Sequence, residues 1–173
     1  VAGVDGVVHL AAQTGVIDSI NAPEVDFEIN AGGVLNMLLA CREHKIPRFV
    51  FASSNAPIGE NEPPVDETKP ARPLSPYGAS KLAGEGYCSA YFRSFGVETV
   101  ALRFGNVYGP GSGHKSSVVA KFIRLAMNGE PWDIYGSGGQ TRDFIYVEDL
   151  IYALRQASSV EGIGGEAFQI ATS

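Results

Sequence analysis

Cysteine is scarce in this chain: Cys41 and Cys88 are the two it has. Neither sits in a Cys-x-x-Cys pair or beside a histidine cluster, so no metal-ligand pattern and no disulfide framework follows. Both fall in helical patterns and read as reduced core or interface residues. Long apolar runs are missing too. No stretch approaches the ~20 residues of a membrane span, and no basic segment followed by an apolar run marks a secretory leader. The expected setting is the cytoplasm, with no membrane partner. Positive charge is in short supply as well, since 13 Lys and Arg stand against 19 Asp and Glu, a net charge of −6. That balance argues against a nucleic-acid partner, because a phosphate backbone is held by a basic surface. The remaining composition is ordinary: 173 residues, 45% hydrophobic and 18% charged, suffice for a sizeable core.

The stretch from Arg72 to Glu85 reads Arg-Pro-Leu-Ser-Pro-Tyr-Gly-Ala-Ser-Lys-Leu-Ala-Gly-Glu. Pro76 suits a first helical position, Ser75 before it suits a cap, and Gly96 suits the residue after a helix end. A helix over 76–95 is expected. Tyr77 and Lys81 then share one face within the first two turns. An ammonium group near a phenol favours the phenolate and brings its proton exchange toward neutrality. The pattern is short and also fits two polar residues on a solvated face, so the surrounding stretches decide.

In chain order, Val7-Val-His-Leu-Ala-Ala12 suits a strand buried on both faces of a parallel sheet, with His9 packed near its end. A helix follows over 25–44, with Asn30 and the pair Gly32-Gly33 inside it; close approach of another backbone would explain the glycines. Arg48–Ala52 is a strand with Ser53 and Ser54 closing it. Residues 60–73, rich in Pro and acids, are a surface loop. A strand over 97–104 leads into Asn106, which suits a turn or a diphosphate contact. His114 and Lys115 read as solvated loop residues, Ser116–Met127 as a helix and Trp132–Tyr135 as a short strand. A helix over 147–157 and a strand over 166–171 complete an α/β alternation.

Five stretches carry a family resemblance: His9-Leu-Ala-Ala12, Ser53-Ser54, Pro76-Tyr-Gly-Ala-Ser-Lys81, Leu102-Arg-Phe-Gly-Asn-Val-Tyr-Gly-Pro110, and Gly136-Ser-Gly-Gly-Gln-Thr-Arg-Asp-Phe144. In order and spacing the chain resembles the extended short-chain dehydrogenase/reductase family. Within it, the chain is similar to the sugar-nucleotide epimerases and dehydratases typified by UDP-glucose 4-epimerase. The resemblance implies a Rossmann-type parallel sheet flanked by helices, with residues 1–110 on the NAD-binding side and 111–173 forming part of a sugar-nucleotide region with returning Rossmann elements. It implies Tyr77 as base, Lys81 as the group that lowers the phenol's pKa and binds the nicotinamide ribose, and Ser54 as proton relay. NAD would lie against Leu10, Ala11, Ala12, Asn30, Ser53, Tyr77, Lys81 and Phe104, with Asn30 supporting the site from behind. A nucleotide-diphosphate sugar would meet Ser54, Asn106, Ser117, Val118, Tyr135 and Arg142, with Gln13 near the sugar and Ile134 beside the base. No metal is implied. A homodimer through the helices at 25–44 and 76–95 is.

Three departures qualify that expectation. The Gly-rich phosphate turn and the ribose-binding acid that follows it by about 20 residues are absent, so the chain resembles an internal piece lacking the first βαβ unit. Gly-Ser-Gly-Gly at 136–139 is no substitute, since it does not open a helix. Asn55 and Ala56 stand where the 4,6-dehydratases carry an Asp-Glu pair, which points to an epimerase, and Pro57-Ile58 replaces the more usual Val-Tyr. Two rival readings stand beside it: an NAD(P)H-dependent reductase or dehydrogenase of another carbonyl compound, and a non-catalytic fragment unable to hold NAD.

Overall fold

The structure is a computed structural model that describes residues 1–173 except Pro63, His114, Ser116 and Ser173. His114 and Ser116, read above as a loop residue and a helix start, therefore lie outside the described residues. The elements in order are β1 (Gly6–His9), α1 (Val16–Asn21), α2 (Pro23–Asp26), a π-helical turn (Phe27–Gly32), α3 (Gly33–Glu43), β2 (Arg48–Ser54), α4 (Pro76–Phe95), β3 (Glu98–Phe104), β4 (Asn106–Tyr108), α5 (Val118–Asn128), β5 (Phe144–Tyr146), α6 (Val147–Ser159) and β6 (Glu166–Ile170).

Strands β1, β2, β3 and β6 form one sheet in that order, all parallel. Its centre is what the apolar runs dictate: the five middle residues of β2 and of β3 are all buried. On one face α3 and α4 close over Phe49, Phe51 and Ala101 with Leu38, Cys41, Cys88 and Tyr91; on the other, α6 brings Ala157 and Leu154 onto Val50, Val100 and Leu102. Both cysteines are free and buried, as expected of core residues. Strand β1 corrects its expectation. It is the sheet edge here, so Val8 is 45% and Leu10 57% exposed.

Helix α4 starts and stops where its local chemistry says it should. Ser75 Oγ accepts from Gly78 N at 3.1 Å, and Gly96 ends the helix at φ 70°. Its glycine at 84 is what lets it lie close on β2, since a Cβ there would stand 2.7 Å from the buried Phe51 ring. The Gly32-Gly33 pair does not serve such an approach. A Cβ at Gly33 would meet nothing within 4 Å, and one at Gly32 only its own turn's Phe27 carbonyl at 3.7 Å. The pair closes the π-helical turn, an irregularity that an apolar repeat does not reveal.

Elsewhere the differences are local. Helix α1 is an element that the sequence patterns above do not mark. Asn106 opens strand β4, which pairs in parallel with β5, instead of sitting in a turn. No strand forms over 132–135; every residue from 126 to 142 is exposed and a strand without a partner has nothing to hold it. Among the described residues, no helix is long and apolar enough to cross a membrane, and no His, Cys, Asp and Glu cluster suits a metal ion.

Candidate active site

The carboxyl ends of β1, β2 and β3 face the first two turns of α4, and this edge gathers most of the polar side chains singled out above. Lys81 is 3% exposed and its Nζ donates to the Ala52 carbonyl at 2.8 Å. Burial pulls its ammonium down to about 8, with the negative charge of Asp26 acting the other way. Tyr77 is 9% exposed, and its main-chain N–H donates to Ser19 Oγ of α1 at 3.1 Å. Its phenol is pushed up, first by burial and also by Asp26, against a hydrogen bond with Ser54 that pulls it down. The expected lowering of Tyr77 by Lys81 is therefore corrected: the ammonium is directed at a main-chain carbonyl, 5.9 Å from the Tyr77 ring centroid, and burial dominates.

Ser54 is half-buried; it accepts from Ala56 N at 3.2 Å and lies beside Phe104 in the β2–β3 register. Ser53, expected at the cofactor, turns its hydroxyl inward and donates to Glu85 Oε1 at 2.5 Å. Glu85 also receives Arg103 Nε at 3.0 Å and Nη2 at 2.8 Å, all three residues buried. A buried guanidinium and carboxylate in bidentate contact fasten α4 to the ends of β2 and β3. Neither Glu85 nor Arg103 was singled out from sequence. Glu85 had a signal, since it follows Tyr77 and Lys81 at helical spacing on one face.

Asn30, brought to the site by the π-helical turn, is 2% exposed. Its Nδ2 donates to Asp26 Oδ1 at 2.8 Å, to the Gln13 carbonyl at 3.0 Å and to Ser80 Oγ at 3.3 Å, and its Oδ1 accepts from Gln13 N at 2.9 Å. The side chain is thus a brace between the end of β1 and α4. Beyond β1, Leu10 and Ala11 are exposed and Ala12 and Gln13 half-buried; Gln13 Oε1 and His9 Nε2 are buried without hydrogen-bond partners. His9 stacks on Phe49 and Phe51 at 5.8 and 6.2 Å, and burial lowers its pKa.

The second group stands apart. Val118, Ile134, Tyr135 and Arg142 line one open groove of about 700 Å³ together with Phe122 and Phe144. Tyr135 is 76% exposed, and Arg142 Nη1 donates to its neighbour Thr141 O at 2.9 Å. Ser117 is the exposed N-cap of α5, its side chain bonding no backbone amide there. Asn106, also exposed, donates through Nδ2 to the Asp143 carbonyl at 3.0 Å.

Residues 1–171 match the model of the NAD dependent epimerase/dehydratase family. The chain belongs to this family. It is 39% identical over 171 residues to an uncharacterized UDP-glucose epimerase of Bacillus subtilis, covering 97% of this chain and 53% of that protein. It superposes with a TM-score of 0.93 and 35% identity on a UDP-N-acetylglucosamine 4-epimerase from Methanobrevibacter ruminantium solved with UDP-N-acetylmuramic acid, covering 98% and 56% of the two chains. For the Thermus thermophilus UDP-glucose 4-epimerase solved with NAD, the TM-score is 0.87 at 40% identity, over 97% of this chain and 56% of that one. The chain spans about half the length of the relatives it matches. Residues at the strand edge fit the nicotinamide end of such a family's cofactor: Ala11 and Ala12 leave room, Gln13 offers an unpartnered oxygen, and Lys81 supplies a cation.

Proposed function

We propose that this chain carries the catalytic edge of an enzyme that epimerises a nucleotide-diphosphate sugar through a transient keto sugar. The observation that carries the proposal is that Tyr77 and Lys81 lie buried on one face of α4 against the end of β2, where Lys81 Nζ donates to the Ala52 carbonyl and Ser54 closes the strand. NAD, when bound, supplies a reversible hydride acceptor for the sugar carbon, and the protein orients and tunes. Ser54 and Tyr77 meet the sugar oxygen, Tyr77 taking its proton as the carbon is oxidised and returning it on reduction. Burial keeps the phenol protonated, which suits the returning step; a nearby positive charge favours the forward one. Lys81, hydrogen-bonded to the Ala52 carbonyl and 5.9 Å from the Tyr77 ring centroid, adds positive charge to the site without overcoming that burial. In the open groove Arg142 presents a fork for a diphosphate, with Tyr135 and Ile134 as apolar cover for a base. Asn106, Ser117 and Val118 complete that end, while Leu10, Ala11, Ala12 and Phe104 flank the nicotinamide.

An epimerase is favoured over a 4,6-dehydratase because no carboxylate follows Ser54: Asn55 is hydrogen-bonded to Gln169, and Ala56 has nothing to ionise. A reductase of a neutral carbonyl compound has no use for the arginine-lined groove. A second reading has its own support, namely the missing Gly-rich turn and the open edge of β1: this chain alone would hold the nucleotide sugar but not NAD. Residues 1–110 are proposed as the NAD side and 111–173 as the sugar-nucleotide side. Exposed Ile17, Ile20, Phe27 and Leu39, with Tyr87 and Phe95 on α4, support pairing of two copies in the cytoplasm, which sedimentation checks.

The deciding experiment titrates the protein with NAD and then UDP, and assays interconversion of UDP-hexose epimers. Tyr77→Phe is expected to lower kcat by about 10²–10⁴ while leaving NAD affinity within a few-fold. Absence of interconversion in wild-type protein that binds both ligands would overturn the proposal; UDP binding without NAD binding selects the second reading.

A further inference from the structure

We infer that Asp26 is the buried counter-charge of the Tyr77–Lys81 pair, holding Lys81 in its ammonium form and so setting the pH range over which the site works. Asp26 ends α2 and is 1% exposed. Its Oδ1 accepts from Asn30 Nδ2 at 2.8 Å, while its Oδ2 is buried with no hydrogen-bond partner. A buried carboxylate is costly unless a cation compensates it. The hydrogen bonds lead toward one: Asn30 donates on to Ser80, which precedes Lys81 and whose hydroxyl donates to the Tyr77 carbonyl at 3.0 Å. Asp26 is thus joined through Asn30 to the helical turn that carries the pair.

The other charged and titratable groups around Lys81 do not supply this balance. On β1, His9 is kept neutral by burial and by Lys81 itself. On α4, Glu85 is neutralised by the bidentate Arg103 of β3, and Tyr77 holds its proton. Asp26, at the end of α2, is the carboxylate left to act on Lys81, and its field favours the protonated form of both members of the pair. With Asp26 in place Lys81 titrates at about 8 and is cationic at neutral pH. Without it, burial acts unopposed and Lys81 loses a large part of its charge near neutral pH.

The inference rests on the proton-handling roles proposed for Tyr77 and Lys81, but its test reads charge without turnover, so an absent coupling and an absent epimerase activity are separate results. The protein is labelled with [13Cε]lysine and titrated by NMR, the Lys81 signal being identified by its loss in Lys81→Met. Asp26→Asn keeps the shape and an acceptor for Asn30, and is expected to lower the Lys81 midpoint by about one pH unit, a roughly tenfold rise in its neutral-to-charged ratio. A midpoint unchanged from wild type overturns the inference. A second substitution, Asp26→Ser, removes the charge through a smaller side chain and should lower the Lys81 midpoint in the same direction. This second arm decides the matter if Asp26→Asn fails to fold: a lowered Lys81 midpoint supports the coupling, an unchanged one overturns it. A merely structural Asp26 would change melting but move neither titration.

Discussion

The inner face of α4 and the segment from 126 to 142 differ in how far along the chain their hydrogen bonds reach. At α4 the polar contacts tie together distant residues: Tyr77 N to Ser19 across 58 positions, Ser53 to Glu85 across 32, Arg103 to Glu85 across 18. In the groove segment they close on near neighbours, Gln140 to the Tyr135 carbonyl, Gly139 N to Ser137, Arg142 to Thr141. Lys81 is 3% exposed where Tyr135 is 76%. Long-range buried contacts are made only when the whole sheet has formed, so folding itself sets the geometry around Tyr77, Lys81 and Ser54. The groove has no such constraint, and its polar groups are free to be arranged around what binds. One end of the site is built in advance and the other is adaptable.

The largest expected effect that breaks this contrast, if absent, is at Glu85. Replacing Glu85 by Ala leaves the Arg103 guanidinium buried without its counter-charge, and Arg103 Nη1 already lacks a partner. Denaturant unfolding should show a loss of about 3–5 kcal/mol, a large share of the stability of an ordinary domain. A loss no greater than that of a surface substitution would show that the inner face of α4 is no better fixed than the groove.

A smaller effect sharpens the contrast through pH. Lys81 is protonated in the unfolded chain up to the usual 10.5 but releases its proton near 8 when folded. Between those values the unfolded chain binds more protons, so stability rises with pH across that window and is lost again as pH falls through 8. Compared with Lys81→Met, in which the other titrating groups cancel, the wild type should gain about 2 kcal/mol between pH 8 and pH 10. A flat difference would mean that Lys81 is solvated like a groove residue.

What the sequence reveals divides along the same line. Helix α4 is legible because its signals are local: Ser75, Pro76 and Gly96 act within one turn of the residues they cap. Tyr77, Lys81 and Ser54 follow from a helical spacing and a strand end, and the structure places them at one edge. The environment that tunes them is not legible, because Asp26, Ser19 and Arg103 reach it only through the fold. Hence the lowering of Tyr77 by Lys81, sound as pairwise chemistry, gives way to burial and to the Ala52 carbonyl. Alternation at 132–135 suggests a strand, but pattern alone provides no partner. The apolar run at 7–12 likewise cannot say that β1 is the sheet edge.

Arg142 gives the smallest effect on folding and the sharpest separation of the two regions. Its guanidinium is exposed and its hydrogen bond goes to an adjacent carbonyl, so nothing buried depends on it. Arg142→Ala should therefore leave unfolding stability within about 0.5 kcal/mol of wild type. If the groove takes a diphosphate, losing a bidentate charged donor should still weaken UDP by about 1.5–3 kcal/mol, roughly ten- to a hundredfold in Kd by calorimetry. The substitution should leave the Lys81 titration midpoint in place, because the two ends share no hydrogen bond among the described residues. A shifted midpoint would tie the groove to the α4 edge and make the site one body; weakened UDP binding with the midpoint held would show that UDP recognition and the protonation of Lys81 are set by separate parts of the chain.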